Sequence, residues 1–334
     1  MIPKYVSLVL AASLLVASCK SDNKQNQQES AESKSAAELV KTPDFNADSA
    51  YAYVDAQVAF GPRVPNTEAH RRAGDYLIAK LKQLGATVTV QEFKATTYDG
   101  KTLNSRNIIG SLNPQAAKRI LLASHWDSRP FADNDTTAAD RKKPVPGAND
   151  GASGVGVLLE LARSIQQGNI KPTVGIDLIF FDAEDWGNSE LAKDEYGGFC
   201  LGSRHWAANK HQPNYTAYYG VLLDMVGAQN ATFFKEGNSM QYAPSIVNQI
   251  WQTASDMGYS QYFVDQLGSA ITDDHVPVNT IAKIPMIDII HTQPGTGAFF
   301  PHWHTDTDNM APIDRATLKA VGQVLLQTLY RENQ

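Results

Sequence analysis

Apolar positions along the chain follow two alternating spacings, and the alternation predicts an α/β fold. Ala69, Ala73, Tyr76, Leu77, Leu81 and Leu84 recur at three and four positions, the spacing of one helix face. Asn66 or Thr67 can cap that helix and Gly85 can stop it. Residues 88–93 then alternate as a half-buried strand does. Continuous apolar runs follow at 120–123, 176–181, 219–226 and 285–290, as expected of strands buried on both faces. Helical patterns fall at 153–165, 202–210, 244–257 and 312–330, and no internal repeat is visible. The order predicts one α/β domain with a central, mostly parallel mixed sheet flanked by helices on both faces.

The N-terminus predicts a compartment. Lys4 is followed by an apolar run over 6–16 and then by Leu15-Val16-Ala17-Ser18-Cys19, a stretch too short to span a bilayer but shaped like a secretory signal. Cys19 after Val-Ala-Ser resembles a bacterial lipobox, so residues 1–18 are expected to be removed and Cys19 to carry a lipid. Residues 19–42 are polar and lack aromatics, which predicts a disordered tether, and 43–334 are expected to form one folded domain. The expected location is the periplasmic side of a membrane, the outer one favoured by Lys20 after Cys19. With Cys19 lipidated only Cys200 is left, so no internal disulfide is expected. A net charge of −6 with both signs spread along the chain excludes a nucleic-acid partner.

Ligands of α/β sheets sit beyond the carboxyl ends of the strands. There the chain places His125 and Asp127, then Asp182, Glu184 and Asp185, then Asp224, with His291, His302 and His304 after the fourth run and Asn149-Asp150-Gly151 opening a helix. So many carboxylates at one rim call for a cation, and oxygen ligands with imidazole suit zinc. Singly, each has a structural reading: Asp150 as a helix cap, Glu184-Asp185 as a solvated turn, His304 as a loop imidazole, Asp224 as an ion-pair partner. Asp133, Asp135 and Asp140 lie in a polar loop and receive no role. The glycines of Gly151-Ala-Ser-Gly154-Val-Gly156 lack the context of a nucleotide motif and are read as allowing close helix–sheet packing. Ser153 and Ser203 lack a nucleophile-elbow setting.

In the order His125-Trp-Asp127-Ser128, Gly147-Ala-Asn-Asp150, Phe180-Phe-Asp-Ala-Glu184-Asp185, Leu223-Asp224-Met-Val-Gly227 and Trp303-His304, the chain resembles the zinc aminopeptidase-like superfamily over about residues 45–330. The resemblance implies that fold, and two branches of it are open. In two-zinc aminopeptidases the matching ligands are His125, Asp150, Asp185, Asp224 and His304. In glutaminyl cyclases a single zinc is held by Asp150, Asp185 and His304. Trp303, the segment 222–233, Asp273-Asp274-His275-Val-Pro277, Phe300-Pro301 and Leu201-Gly-Ser-Arg-His205 resemble the cyclases. The chain departs from their animal members in having Glu184-Asp185 where those carry two Glu, and in placing Trp186 directly after the pair.

The cyclase resemblance implies that N-terminal Gln of peptides and exported proteins is converted to pyroglutamate with loss of ammonia. Glu184 would be the general base and acid, with Asp224 and Asp273 sharing its proton and raising its pKa by like-charge repulsion. Trp303, Trp186 and Phe300 would form the substrate wall, while Trp206 and Trp251 are read as core. The expectations are one zinc per chain and a monomer. A two-zinc aminopeptidase and an inactive protein that binds peptide N-termini are the alternatives.

Overall fold

The computed structural model describes residues 39–332, and the expected signal, lipidation site Cys19 and most of the tether lie outside them. Helix α1 (Ala47–Val58) starts where Asn46 accepts from the Ser49 amide. Helix α2 (Glu68–Gln83) is capped by Thr67, and Gly85 at φ 81° turns the chain out of it. Next come β1 (Thr87–Thr96), β2 (Thr102–Leu112), β3 (Arg119–His125), α3 (Ala152–Gln167), β4 (Gly175–Phe181), α4 (Leu201–Ala208) and β5 (Tyr219–Asp224). The rest comprises β6 (Phe233–Lys235), α5 (Gly237–Tyr242), α6 (Pro244–Asp256), β7 (Phe263–Leu267), the short turn α7 (His275–Pro277), β8 (Met286–Ile290) and α8 (Arg315–Arg331).

The main sheet has the order β1-β2-β4-β3-β5-β8. The expected buried runs are β3, β4, β5 and β8, and they pair in parallel as a contiguous block. β1 and β2 add an antiparallel edge. Neighbouring residues on β3 point to opposite faces: Ile120 and Leu122 join the core beneath α1, α3 and α8, whereas Leu121 and Ala123 join the one beneath α4. Burying an aliphatic side chain of this kind contributes about 1.5–3 kcal/mol. Trp206 and Trp251 are core residues, as expected.

Helix α3 runs directly over the ends of β3 and β5. A Cβ at Gly154 would lie 2.4 Å from Ser124 Oγ and 2.5 Å from the Leu223 carbonyl, and one at Gly156 would meet Val54 at 2.6 Å. Gly154 thus sets the helix-to-sheet distance as expected, whereas Gly156 lets α1 approach α3 instead of the sheet.

Candidate functional site

Each buried parallel strand delivers side chains to one rim. β3 ends on His125 and β5 on Asp224, while β4 is followed by Asp182, Ala183, Glu184 and Asp185. Ala183 and Met225 take left-handed backbone, φ 55° and 50°, which turns the chain sharply as each strand stops. Asp127 accepts from the amides of Glu184 and Asp185 at 3.1 and 3.2 Å and so fixes that turn. Asp182 faces away and is consumed by His70 Nε2 at 2.8 Å and by the amides of Arg106 and Ala183.

Asp150 does not cap α3. That position falls to Gly151, whose φ of 96° and closeness to the Asp127 carbonyl leave no room for a Cβ. Asp150 instead enters the rim, 3.0 Å from His125 Nε2 and 3.8 Å from His304 Nε2. Its backbone is held by Asp308, which accepts from the amides of Asn149 and Asp150. Arg63 donates to the carbonyls of Trp126, Pro146 and Gly147 and closes the same loop.

Asp150, Asp185 and His304 present one donor atom each within 4.8 Å of one another. His304 Nε2 is 3.2 Å from Asp185 Oδ1, and Asp185 Oδ2 is buried without a hydrogen-bond partner. Ligands about 2.1 Å from a tetrahedral zinc are about 3.4 Å apart, so this set fits the ion. His125, Asp150 and Asp224 form a second set within the same limit, with His125 Nε2 3.0 Å from Asp150 and 3.3 Å from Asp224, so its spacing also suits an ion.

The loop given no role in the sequence supports the first set. Arg129 donates to Asp185 Oδ1 at 3.0 Å and pairs with Asp133, whose carboxylate stands 3.5 Å from His304 Nδ1. A carboxylate behind a histidine ligand fixes ring orientation and basicity. No local spacing signalled Asp133, because it lies with Arg129 in a loop and its contact to His304 is distant in sequence. The Asp135 carboxylate accepts from the Asp306 amide, and Asp140 pairs with Lys143 and accepts from the Thr137 hydroxyl. His302 bonds Thr307 at the surface, and burial pushes His291 down to about 4 away from the donor sets.

Glu184 is 9% exposed and stands beside this set. Its carboxyl is pushed well above the usual carboxylate range, first by burial and then by the carboxylates of Asp185, Asp273 and Asp274, with His125 opposing. Desolvation therefore leads, where like-charge repulsion from Asp224 and Asp273 was expected. Burial and Asp273 also lift Asp224 to about 7 against its bond to His125. Buried Cys200 was unassigned in the sequence, and its Sγ lies 3.5 Å from Glu184 Oε1.

Asp150, Glu184, Asp185, Asp224, Asp273 and His304 share a cleft of about 460 Å³. Trp303 forms part of its wall and stacks on His304 at 3.7 Å. Two of the expected wall residues lie elsewhere. Trp186 packs with Val64, Leu103 and Ala183 and stands edge-on to Phe131, because the chain turns outward immediately after Asp185. Phe300 is drawn into a cluster with Met225 and Ile290, and its neighbour Phe299 lines the cleft, 4.7 Å from Trp303. A wider surface groove of about 620 Å³ beside α2 and β1 holds none of these carboxylates.

Residues 107–329 match Peptidase family M28. The chain is 51% identical to the glutaminyl cyclase of Bacteroides thetaiotaomicron crystallised with N-acetylhistamine, covering 87% of this chain and 100% of that one at a TM-score of 0.84. A Zn-dependent exopeptidase from Parabacteroides distasonis is 55% identical, with 87% and 99% covered and a TM-score of 0.83. The glutaminyl-peptide cyclotransferase of Boiga irregularis is 30% identical over 295 residues, 79% of this chain and 75% of that protein.

Proposed function

We propose, for a chain that belongs to peptidase family M28 and to the glutaminyl-peptide cyclotransferases, that one zinc held by Asp150, Asp185 and His304 works with Glu184 as the proton carrier. The enzyme is a zinc-dependent cyclotransferase that converts N-terminal Gln to pyroglutamate. The observation that carries the assignment of roles is the buried Glu184 carboxyl beside the Asp150, Asp185 and His304 triad, grouped not with it but with Cys200 and Asp273.

Bound zinc supplies Lewis acidity toward the γ-carbonyl oxygen of the substrate. Glu184 takes a proton from the α-amine as its nitrogen bonds to Cδ, the carbonyl carbon of the side-chain amide. It returns that proton to the side-chain nitrogen as the old C–N bond breaks, and ammonia leaves. One carboxyl serves both directions because burial makes its protonated form accessible. Asp273 and Asp224 stand around it as a coupled set. Trp303 and Phe299 exclude water, which favours lactam closure over hydrolysis. His125, 3.0 Å from Asp150 and 3.3 Å from Asp224, orients those carboxylates in the one-metal reading. The zinc-loaded protein is expected to cyclise Gln-Ala-Ala and to leave Leu-Ala-Ala intact; release of Leu would move the reading to an aminopeptidase.

The substrates are exported polypeptides, met on the periplasmic face of a membrane to which Cys19 anchors a monomeric enzyme. The apolar run before Cys19 and the polar stretch after it support this reading. Cys19→Ser is expected to move the protein from the membrane to the soluble fraction, and an unchanged distribution would refute the anchor.

A further inference from the structure

The wall of the cleft that carries Asp273 is strapped to β6 and α5. The Gly268 amide donates to the Lys235 carbonyl at 2.8 Å and the Gly237 amide to the Ser269 carbonyl at 3.0 Å. Asn238 Nδ2 donates to the Ile271 carbonyl at 2.7 Å. A Cβ at Gly237 would lie 2.8–2.9 Å from atoms of Ala270, so the two segments are in direct contact.

Glu236 is the centre of this arrangement. Its Oε1 accepts from the amides of Asn238 and Ile271 at 2.8 and 2.7 Å. Its Oε2 accepts from the Ser239 amide and hydroxyl, both at 2.6 Å, and lies 3.1 Å from His275 Nε2. Ser239 Oγ in turn accepts from the Asp288 amide of β8 at 2.9 Å. Capping α5 requires only the Asn238 and Ser239 amides. The contacts to Ile271 and His275 reach 35 and 39 residues forward, and they bracket Asp273 on both sides. Glu236 is 2% exposed, so water does not replace a lost partner. Burial works against its charge, yet His275 and Ser239 hold its carboxyl down to about 2, which keeps it an acceptor for all these donors.

We propose that Glu236 is a positioning residue for turnover, holding the 271–275 segment so that Asp273 faces Glu184. The inference rests on the role given to Asp273 above. Gln at position 236 keeps the volume but replaces one acceptor oxygen by a donor, and so turns away partners on one side.

The test is the kinetics of pyroglutamate formation for Glu236→Gln, Asp273→Asn and the double variant, with zinc content and melting temperature measured on each. Glu236→Gln is expected to lower kcat about tenfold or more with zinc retained and KM changed less than about threefold. In the Asp273→Asn background the same replacement is expected to cost less than about twofold, because the group to be placed is gone. Equal factors in both backgrounds, or a loss that tracks zinc or melting temperature, would overturn the proposal. If Glu236→Gln does not fold, Asn238→Ala cuts one strap and leaves the carboxylate in place. It is expected to lower kcat in the parent and not beside Asp273→Asn, and the opposite pattern overturns the proposal. A parent protein that forms no pyroglutamate would sink the functional reading with it, whereas additive losses on an active parent sink the inference alone.

Discussion

Replacing Glu184 by Gln lowers pyroglutamate formation by about 10²- to 10⁴-fold and leaves zinc bound, the range over which a positioned general acid–base acts. The amide has the shape of the acid but cannot take a proton from the attacking amine and return it to the leaving nitrogen. Glu184 is outside the Asp150, Asp185 and His304 set, so the metal has no reason to leave. Its other neighbours are Cys200 Sγ and nearby carboxyl groups, which tolerate a neutral amide at least as well as a charge. Zinc content and initial rates measured on the same preparation check the separation. Loss of metal in proportion to activity would show that the base had been mistaken for a ligand.

His304→Ala has the opposite signature: metal and activity fall together, by about 10³-fold in rate once the Lewis acid is gone. His304 supplies the nitrogen of the donor set and is itself held by Asp133 and capped by the Trp303 ring. Its backbone is left-handed at φ 58°, so the loop is bent specifically to bring the ring inward. His125→Ala provides the contrast. It removes the contacts to Asp150 and Asp224 and is expected to leave about one zinc per chain. Two zinc ions in the parent, with one lost in His125→Ala, would instead indicate the two-metal arrangement of an aminopeptidase.

The central sheet was legible because its strands are buried on both faces, which leaves unbroken apolar runs such as 120–123 and 176–181. β2 was not legible. Its sequence Thr-Leu-Asn-Ser-Arg-Asn-Ile-Ile-Gly-Ser-Leu joins an edge to the block, and Asn107 and Arg106 spend their side chains on α4 and α2 in place of an alternating pattern. Helix α1 was missed for a similar reason, since only Ala50, Val54 and Gln57 are buried on it and two of these are weak hydrophobic signals.

The pool of candidate donors was legible because strand ends in such a fold converge at one rim, while the choice of Asp150, Asp185 and His304 from it rested on the family resemblance. Aromatic walls come from long loops, where one residue of register decides which ring faces the cleft. Phe299 and Phe300 are adjacent members of one apolar cluster, yet only Phe299 lines the cleft, and Trp186 follows the ligand pair yet turns into a separate cluster. Supporting residues such as Asp133, Asp308 and Glu236 reach His304, the Asn149 and Asp150 amides, and His275, contacts distant in sequence that no local spacing announces.

The most direct measurement of the central claim follows nitrogen. A Gln-Ala-Ala peptide labelled with heavy nitrogen in the side-chain amide is incubated with the zinc-loaded protein, and peptide and ammonia are analysed by mass spectrometry. Attack by the α-amine predicts that all label leaves as ammonia while the chain keeps its first residue as pyroglutamate. Label retained in free Gln, with Ala-Ala released, would contradict the account and identify a peptidase.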